Sequence, residues 1–159
     1  MVKKAFYKLK KICVMLIGNI RHTGIVVDDL IKSLEFYTKK LGFEVSNRMD
    51  ESGSFIDKIL GLNNIMVTTV KMTLHDGQMV ELLDFTSHKK EGLSKHINDI
   101  GPTHLSFTVD DLDAIYIDFK NDGVEFISKP EISPNGYVKV AFCQAPEGTF
   151  IELVQILEE

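Results

Sequence analysis

The feature that most constrains this chain is an internal repeat. Arg21-His-Thr-Gly-Ile-Val-Val-Asp-Asp-Leu30 returns as Thr103-His-Leu-Ser-Phe-Thr-Val-Asp-Asp-Leu112, and the match runs on to Gly42 and Gly123 with a one-residue slip. A second pair follows in each half. His75-Asp-Gly-Gln-Met-Val-Glu-Leu-Leu83 is similar to Pro146-Glu-Gly-Thr-Phe-Ile-Glu-Leu-Val154, with Gly77 and Gly148 at the same spacing before Glu81 and Glu152. Two copies are too few for a solenoid and predict two small modules that share a core or face one another.

Each copy reads the same way along the chain. Residues 21–27 and 103–109 have the β-branched character of strands. Asp28 and Asp110 stand where helix N-caps belong. Leu30, Leu34, Tyr37 and Leu41 then recur at helical spacing, as do Leu112, Ile115, Tyr116 and Phe119. Gly42 and Gly123 follow as C-terminal cap glycines. Strands are expected at 43–48 and 124–127, then hairpins pairing 65–74 with 79–85 and 137–144 with 149–156. The order is βαβββ written twice, an α+β fold. The expected division is an N-terminal extension (1–19), module one (20–85), a polar connector (86–101) and module two (102–157), the modules forming one compact domain. Residues 50–62 form an insertion in module one, with Ile56, Ile59 and Leu60 at helical spacing.

Composition narrows the function. At 159 residues and 44% apolar content the chain suits an ordinary globular core, and a net charge of -5 argues against a general nucleic-acid binder. With Cys13 and Cys143 its only cysteines, a reducing cytoplasm is the expected location. Five lysines (Lys3, Lys4, Lys8, Lys10, Lys11) precede the apolar run Ile12 to Ile17, which is short and lacks a small-residue cleavage site. It reads as an added segment rather than a signal peptide. No stretch reaches the roughly 20 apolar residues needed to span a bilayer.

Strand alternation puts His22, Gly24 and Val26 on one face and Ile25 and Val27 on the other. In the second copy His104, Ser106 and Thr108 lie opposite Leu105, Phe107 and Val109. Glu81 lies between Val80 and Leu82, and Glu152 between Ile151 and Leu153. An unpaired buried carboxylate costs several kcal/mol or is driven neutral. Two carboxylates and two histidines at equivalent positions of a repeat therefore call for a shared partner, a divalent metal held by His22, Glu81, His104 and Glu152. Mixed imidazole and carboxylate ligation suits Zn, Ni, Co, Mn or Fe. The remaining candidates read as structural: His75 in a turn, His88 and His96 on the connector surface, Met66, Met72 and Met79 in the core, and Cys143 in a strand with no base near it in sequence. The Asp-Asp pairs are explained by helix capping.

These residues resemble the vicinal oxygen chelate superfamily, which includes glyoxalase I, methylmalonyl-CoA epimerase, extradiol dioxygenases and fosfomycin- and bleomycin-resistance proteins. The resemblance covers about residues 20–156 and rests on His22 before Val-Asp-Asp-Leu, Glu81 in Val-Glu-Leu-Leu, His104 in Gly-Pro-Thr-His-Leu, and Glu152 in Gly-Thr-Phe-Ile-Glu-Leu-Val. It implies paired βαβββ modules whose sheets form a cupped, incompletely closed mixed β-barrel, helices outside, around one metal on those four residues. The His, Glu, His, Glu order is that of glyoxalase I, whereas the epimerase usually has Gln at the second position. Glu51 to Gly61 resembles a loop and helix of epimerase-like members.

The expected activity is a metal-dependent lyase or isomerase, either a glyoxalase I-type lactoylglutathione lyase or an epimerase. It moves a proton next to a carbonyl on a hemithioacetal, keto-sugar or acyl thioester chelated through vicinal oxygens, with Glu152 and Glu81 as catalytic carboxylates. The alternatives are an Fe(II)-dependent dioxygenase and a non-enzymatic antibiotic- or small-molecule-binding resistance protein. Neither a nucleic-acid nor a membrane partner is expected, and a homodimer is. The site can be built within one chain or exchanged between two. Pocket walls are expected from 50–70, 86–100 and 128–137, with Arg48, Lys71 and Lys139 as the charged candidates near cavity strands.

Overall fold

A computed structural model describes residues 19–90 and 95–157. The expectations for the N-terminal extension and its apolar run lie outside the described residues. The first half runs β1 (Thr23–Val27), α1 (Leu30–Glu35) continued by a π-helical turn (Phe36–Lys40), β2 (Glu44–Ser52), α2 (Ser54–Leu60), β3 (Met66–Thr73) and β4 (Met79–Phe85). The second half repeats it as β5 (His104–Thr108), α3 (Leu112–Asn121), β6 (Glu131–Ile132), β7 (Val138–Gln144) and β8 (Phe150–Ile156). They build two four-stranded mixed sheets, ordered β1-β4-β3-β2 and β5-β8-β7-β6. In each, the first strand pairs in parallel with the last and the other neighbours are antiparallel. The sheets are not closed into a barrel.

The caps sit one residue later than the sequence reading placed them. Asp29 accepts from the Lys32 amide and Asp111 from the Ala114 amide, each at 3.0 Å, leaving Asp28 and Asp110 outside the helices. An N-cap carboxylate reaches the amide three residues on, and only the second aspartate of each pair has that reach. Gly42 and Gly123 adopt left-handed φ of 75° and 80°, as helix-terminating glycines do.

Two strands also depart from expectation. β2 is longer than 43–48 and consumes the start of the insertion, with a register shift between Val45 and Asn47. The strand expected at 124–127 reduces to an isolated bridge between Phe126 and Cys143, and pairing resumes only at Glu131 and Ile132. Pro130 falls in the gap, where it has no amide to donate to a ladder.

One core runs through both halves. Ile25, Val27, Val70, Met72, Val80 and Leu82 gather with Phe36 and Tyr37, and join Leu112, Phe119, Cys143, Ile151 and Leu153 of the second half. The junction is aromatic: Phe36 meets Phe119 at 6.3 Å and Phe43 meets Phe107 at 6.0 Å, both edge to face. Buried Tyr37 and Ser33 both donate to the Glu147 carboxylate, at 2.8 and 3.1 Å, across the two halves. Burial and the neighbouring Glu147 charge raise the Tyr37 pKa, so the hydroxyl remains a donor. Glu147→Ala strips both donors of their acceptor and is expected to cost about 1–3 kcal/mol, read as a lower denaturant midpoint at unchanged slope.

A smaller cluster lies beyond this core: Ile56 of α2 packs with Ile65 and Val67, against Leu83 and Phe85. The insertion thus covers one end of the sheet face turned away from the main core. Met66, expected in the core, is 58% exposed at the start of β3.

Candidate metal centre

The strands deliver the four candidate ligands in two pairs. In the first sheet, parallel pairing sets Gly24 opposite Glu81, and antiparallel pairing sets Lys71 opposite Glu81 from the other side. Val80 and Leu82 point into the core at 4% and 0% exposure, so the pleat turns Glu81 to the opposite face. His22, one residue before β1, reaches it there with Nε2 3.0 Å from Oε2. In the second sheet Ser106 and Phe142 flank Glu152 in the equivalent registers. Ile151 and Leu153 are buried, and His104 Nε2 stands 3.7 Å from Glu152 Oε2.

Both carboxylates are placed by a hairpin of the same design. Leu74 and Gln78 close the first turn and Ala145 and Thr149 the second, with Gly77 and Gly148 at φ of 86° and 85°. A side chain there is strained, so the glycines fix the turns and the turns fix which residues face the site.

The donor chemistry fits a divalent ion in halves. Two ligands each about 2.0–2.2 Å from one ion lie roughly 3 Å apart when their bonds are near perpendicular. The His22–Glu81 pair already has that spacing. His104 Nδ1 bonds Thr103 Oγ1 at 2.8 Å, the kind of outer partner that orients a ligating imidazole. His22 Nδ1 is buried without a hydrogen-bond partner among the described residues. Among the described residues no three His, Cys, Asp or Glu side chains come together in a metal-holding group. The structure therefore brings the four candidates together two by two, one pair on each sheet, each on the face opposite the shared core.

Other candidates sort plainly. Lys71 is on the site face, its Nζ 3.3 Å from Glu81 Oε1. Lys139 instead pairs with Asp113 of α3 at 2.6 Å, and Arg48 stands opposite Val70, a core position, so neither serves the site face. Cys143 is fully buried and its thiol is pushed up to about 12 by burial, which leaves it inert at neutral pH. His75 and His96 are exposed, while half-buried His88 bonds Ser87 and joins the wall of a cavity. That cavity, about 860 Å³, lies between Val26, Leu62 and Phe85 of the first half and Gly148 of the second, with Lys89 and Lys95 at its wall. Of the expected wall stretches, 50–70 supplies Leu62 and 86–100 supplies His88, Lys89 and Lys95, whereas none of the lining comes from 128–137 and the Gly148 turn stands in its place. Thr103 and Phe142 were missed as neighbours of the histidine and carboxylate, although counting outward from the second hairpin pairs 142 with 152.

A sequence profile of the glyoxalase/bleomycin resistance protein/dioxygenase superfamily matches residues 19–153, and the chain belongs to that superfamily. A lactoylglutathione lyase of Schizosaccharomyces pombe is 30% identical over 143 residues, covering 85% of this chain but 46% of the yeast protein. The chain thus spans less than half the length of that relative. A lactoylglutathione lyase of Pseudomonas aeruginosa is 28% identical over 144 residues, covering 84% of this chain and 80% of its own. Among solved structures, a glyoxalase family protein from Bacillus cereus superposes with a TM-score of 0.81 at 21% identity, covering 89% of this chain and 96% of its own. The trypanothione-dependent glyoxalase I of Leishmania major gives 0.62 at 26% identity, covering 87% of each chain. No described helix is long and apolar enough to cross a membrane.

Proposed function

We propose that this chain is a metal-dependent lyase of the glyoxalase I type, acting on the hemithioacetal of a 2-oxoaldehyde with a thiol. The observation that carries the reading is the equivalence of two histidine–carboxylate pairs, one per sheet, at the same register in both halves. The relatives named lactoylglutathione lyase support the choice of reaction.

Because the pairs sit on the outer faces of two sheets with a common core behind them, we assign the complete His22, Glu81, His104 and Glu152 set to two copies of the chain. Each copy contributes one pair to each of two sites. A bound divalent ion supplies Lewis acidity toward vicinal oxygens of the substrate. The chain's own part is proton transfer. The Glu152 carboxylate takes the proton from the carbon bearing sulfur and returns it to the adjacent carbon, while the hydroxyl proton on the first carbon passes to the former carbonyl oxygen. The hemithioacetal becomes a 2-hydroxy thioester with no net change in composition.

The cavity beyond Val26 shares a strand face with His22, about 13 Å along β1 at strand rise. We assign it to the non-reacting part of the thiol, with Lys89 and Lys95 offering charge to carboxylates in a chain that has only two arginines in its full sequence.

The test is an assay of methylglyoxal with glutathione or trypanothione, set against keto-sugars and acyl-CoA esters, with and without added Zn²⁺, Ni²⁺ or Co²⁺. Thioester formation that needs the metal and disappears with chelator is expected. Turnover of a keto-sugar or acyl-CoA ester alone would move the chain to an epimerase. Metal-dependent oxygen uptake with a catechol would make it a dioxygenase.

A further inference from the structure

The repeat makes the two half-sites equivalent in position, yet at one register position beside the carboxylates their surroundings differ in charge. Opposite Glu81 on the neighbouring antiparallel strand stands Lys71; opposite Glu152, in the same relation, stands Phe142. The contacts are specific to the oxygen. His22 Nε2 faces Glu81 Oε2 at 3.0 Å, while Lys71 Nζ faces the other oxygen, Oε1, at 3.3 Å. Glu152 Oε2 faces His104 at 3.7 Å, and among the described residues no lysine or arginine pairs with either Glu152 oxygen. Phe142 instead sets its ring edge to face with His104, centroids 5.4 Å apart. Glu81 is also the more buried, its side chain 12% exposed against 23% for Glu152.

We propose that Lys71 is a positioning residue that divides the labour between the two carboxylates. Resting on the metal reading above, it holds Glu81 Oε1 so that only Oε2 is offered as a ligand. Glu81 is thereby a fixed, one-oxygen ligand. Glu152, beside an aromatic ring in place of a lysine, is the carboxylate left free to leave its ligating position and carry the proton. A cation beside a metal site costs repulsion, and orientation offsets it here: the ammonium paired with the non-ligating oxygen steers Glu81, as the Thr103 hydrogen bond steers His104. The register that makes this readable is a plain count outward from the first hairpin, which pairs 74 with 78 and so 71 with 81.

The test uses the full chain with Zn²⁺ alone, binding measured by competition with a chromophoric chelator, beside thermal melts. Lys71→Met is expected to weaken Zn²⁺ binding by about ten- to a hundredfold, the usual effect of losing an outer-sphere partner, and Lys71→Arg to restore it to within about threefold. Phe142→Lys, which transplants the ion pair, is expected to lower kcat by at least about tenfold while Zn²⁺ binds as well as before or better. If Lys71→Met fails to fold, Lys71→Gln and Phe142→Lys carry the same reading. Wild-type protein that binds Zn²⁺ together with a Lys71→Met variant that binds it equally or more tightly overturns the role of Lys71 and leaves the metal site standing. Wild-type protein that binds neither Zn²⁺, Ni²⁺ nor Co²⁺ overturns the metal reading itself, and this proposal with it.

Discussion

Mixing two variants that are each expected to be inactive should restore activity. One chain carries His22→Ala and Glu81→Ala, the other His104→Ala and Glu152→Ala, so each alone lacks half of every site. In a two-fold pair made of one of each, one site collects all four defects and the other collects none. Random exchange makes half of the pairs mixed, and one site in each mixed pair is whole, so recovery to about a quarter of the wild-type rate is expected. The starting variants are expected at background, since each removes two of four ligands. The physical basis is the separation of the pairs: His22 with Glu81 on the first sheet, His104 with Glu152 on the second, and no described group of three such side chains anywhere. A site built inside one chain predicts no recovery at any mixing ratio. Light scattering on the same samples checks the pairing, and a monomer at micromolar concentration would remove the explanation.

Glu152→Gln is expected to lower kcat by about 10²–10⁴, the range for loss of a positioned general base, with the metal still present by elemental analysis. The amide keeps the size of the side chain and an oxygen that can ligate, but it does not take up a proton. Stability should be nearly unchanged, because the carboxylate is partly exposed and pairs with no described lysine or arginine. Near-normal turnover with metal bound would sink the assignment of Glu152 as base. Glu81→Gln is the informative control. Where Glu81 is a fixed ligand paired with Lys71, its loss should show mainly in metal affinity.

Much of this was legible because a repeat reports structure twice. Two histidines, two carboxylates and two hairpin glycines at matching spacing fixed the faces of β1, β4, β5 and β8 before any coordinates, and those faces are as expected. The buried Val80, Leu82, Ile151 and Leu153 flank the two carboxylates as strand alternation requires. What escaped is where the halves differ or where a single residue decides. Asp28 and Asp29 are equally good cap residues by type, and only backbone geometry chooses Asp29. The 124–127 strand failed because pairing there is broken before Pro130. Lys139 and Lys71 have similar sequence credentials, but the pleat sends one to Asp113 of α3 and the other to Glu81. Whether two sheets face each other or share a core behind them is set by long-range packing such as Phe43 on Phe107, which no local pattern encodes.

The alternation along β4 and β8 has an evolutionary corollary. One face of each strand holds the molecule together and the other carries the proposed site, separated by a single peptide unit. If that site is the active one, substitutions at Lys71, Phe142 or Ser106 are expected to retune reactivity with little penalty to folding, which gives a lineage room to change substrates on an unchanged scaffold. Insertions are another matter. One extra residue inside β4 would drive Glu81 inward and turn Leu82 out, losing core and site together. The same residue added to the turn at Gly77 would be absorbed as loop. Length variation among relatives should thus collect at the hairpin tips and avoid the strands, a pattern that a deletion and insertion scan of residues 74–85 can read directly.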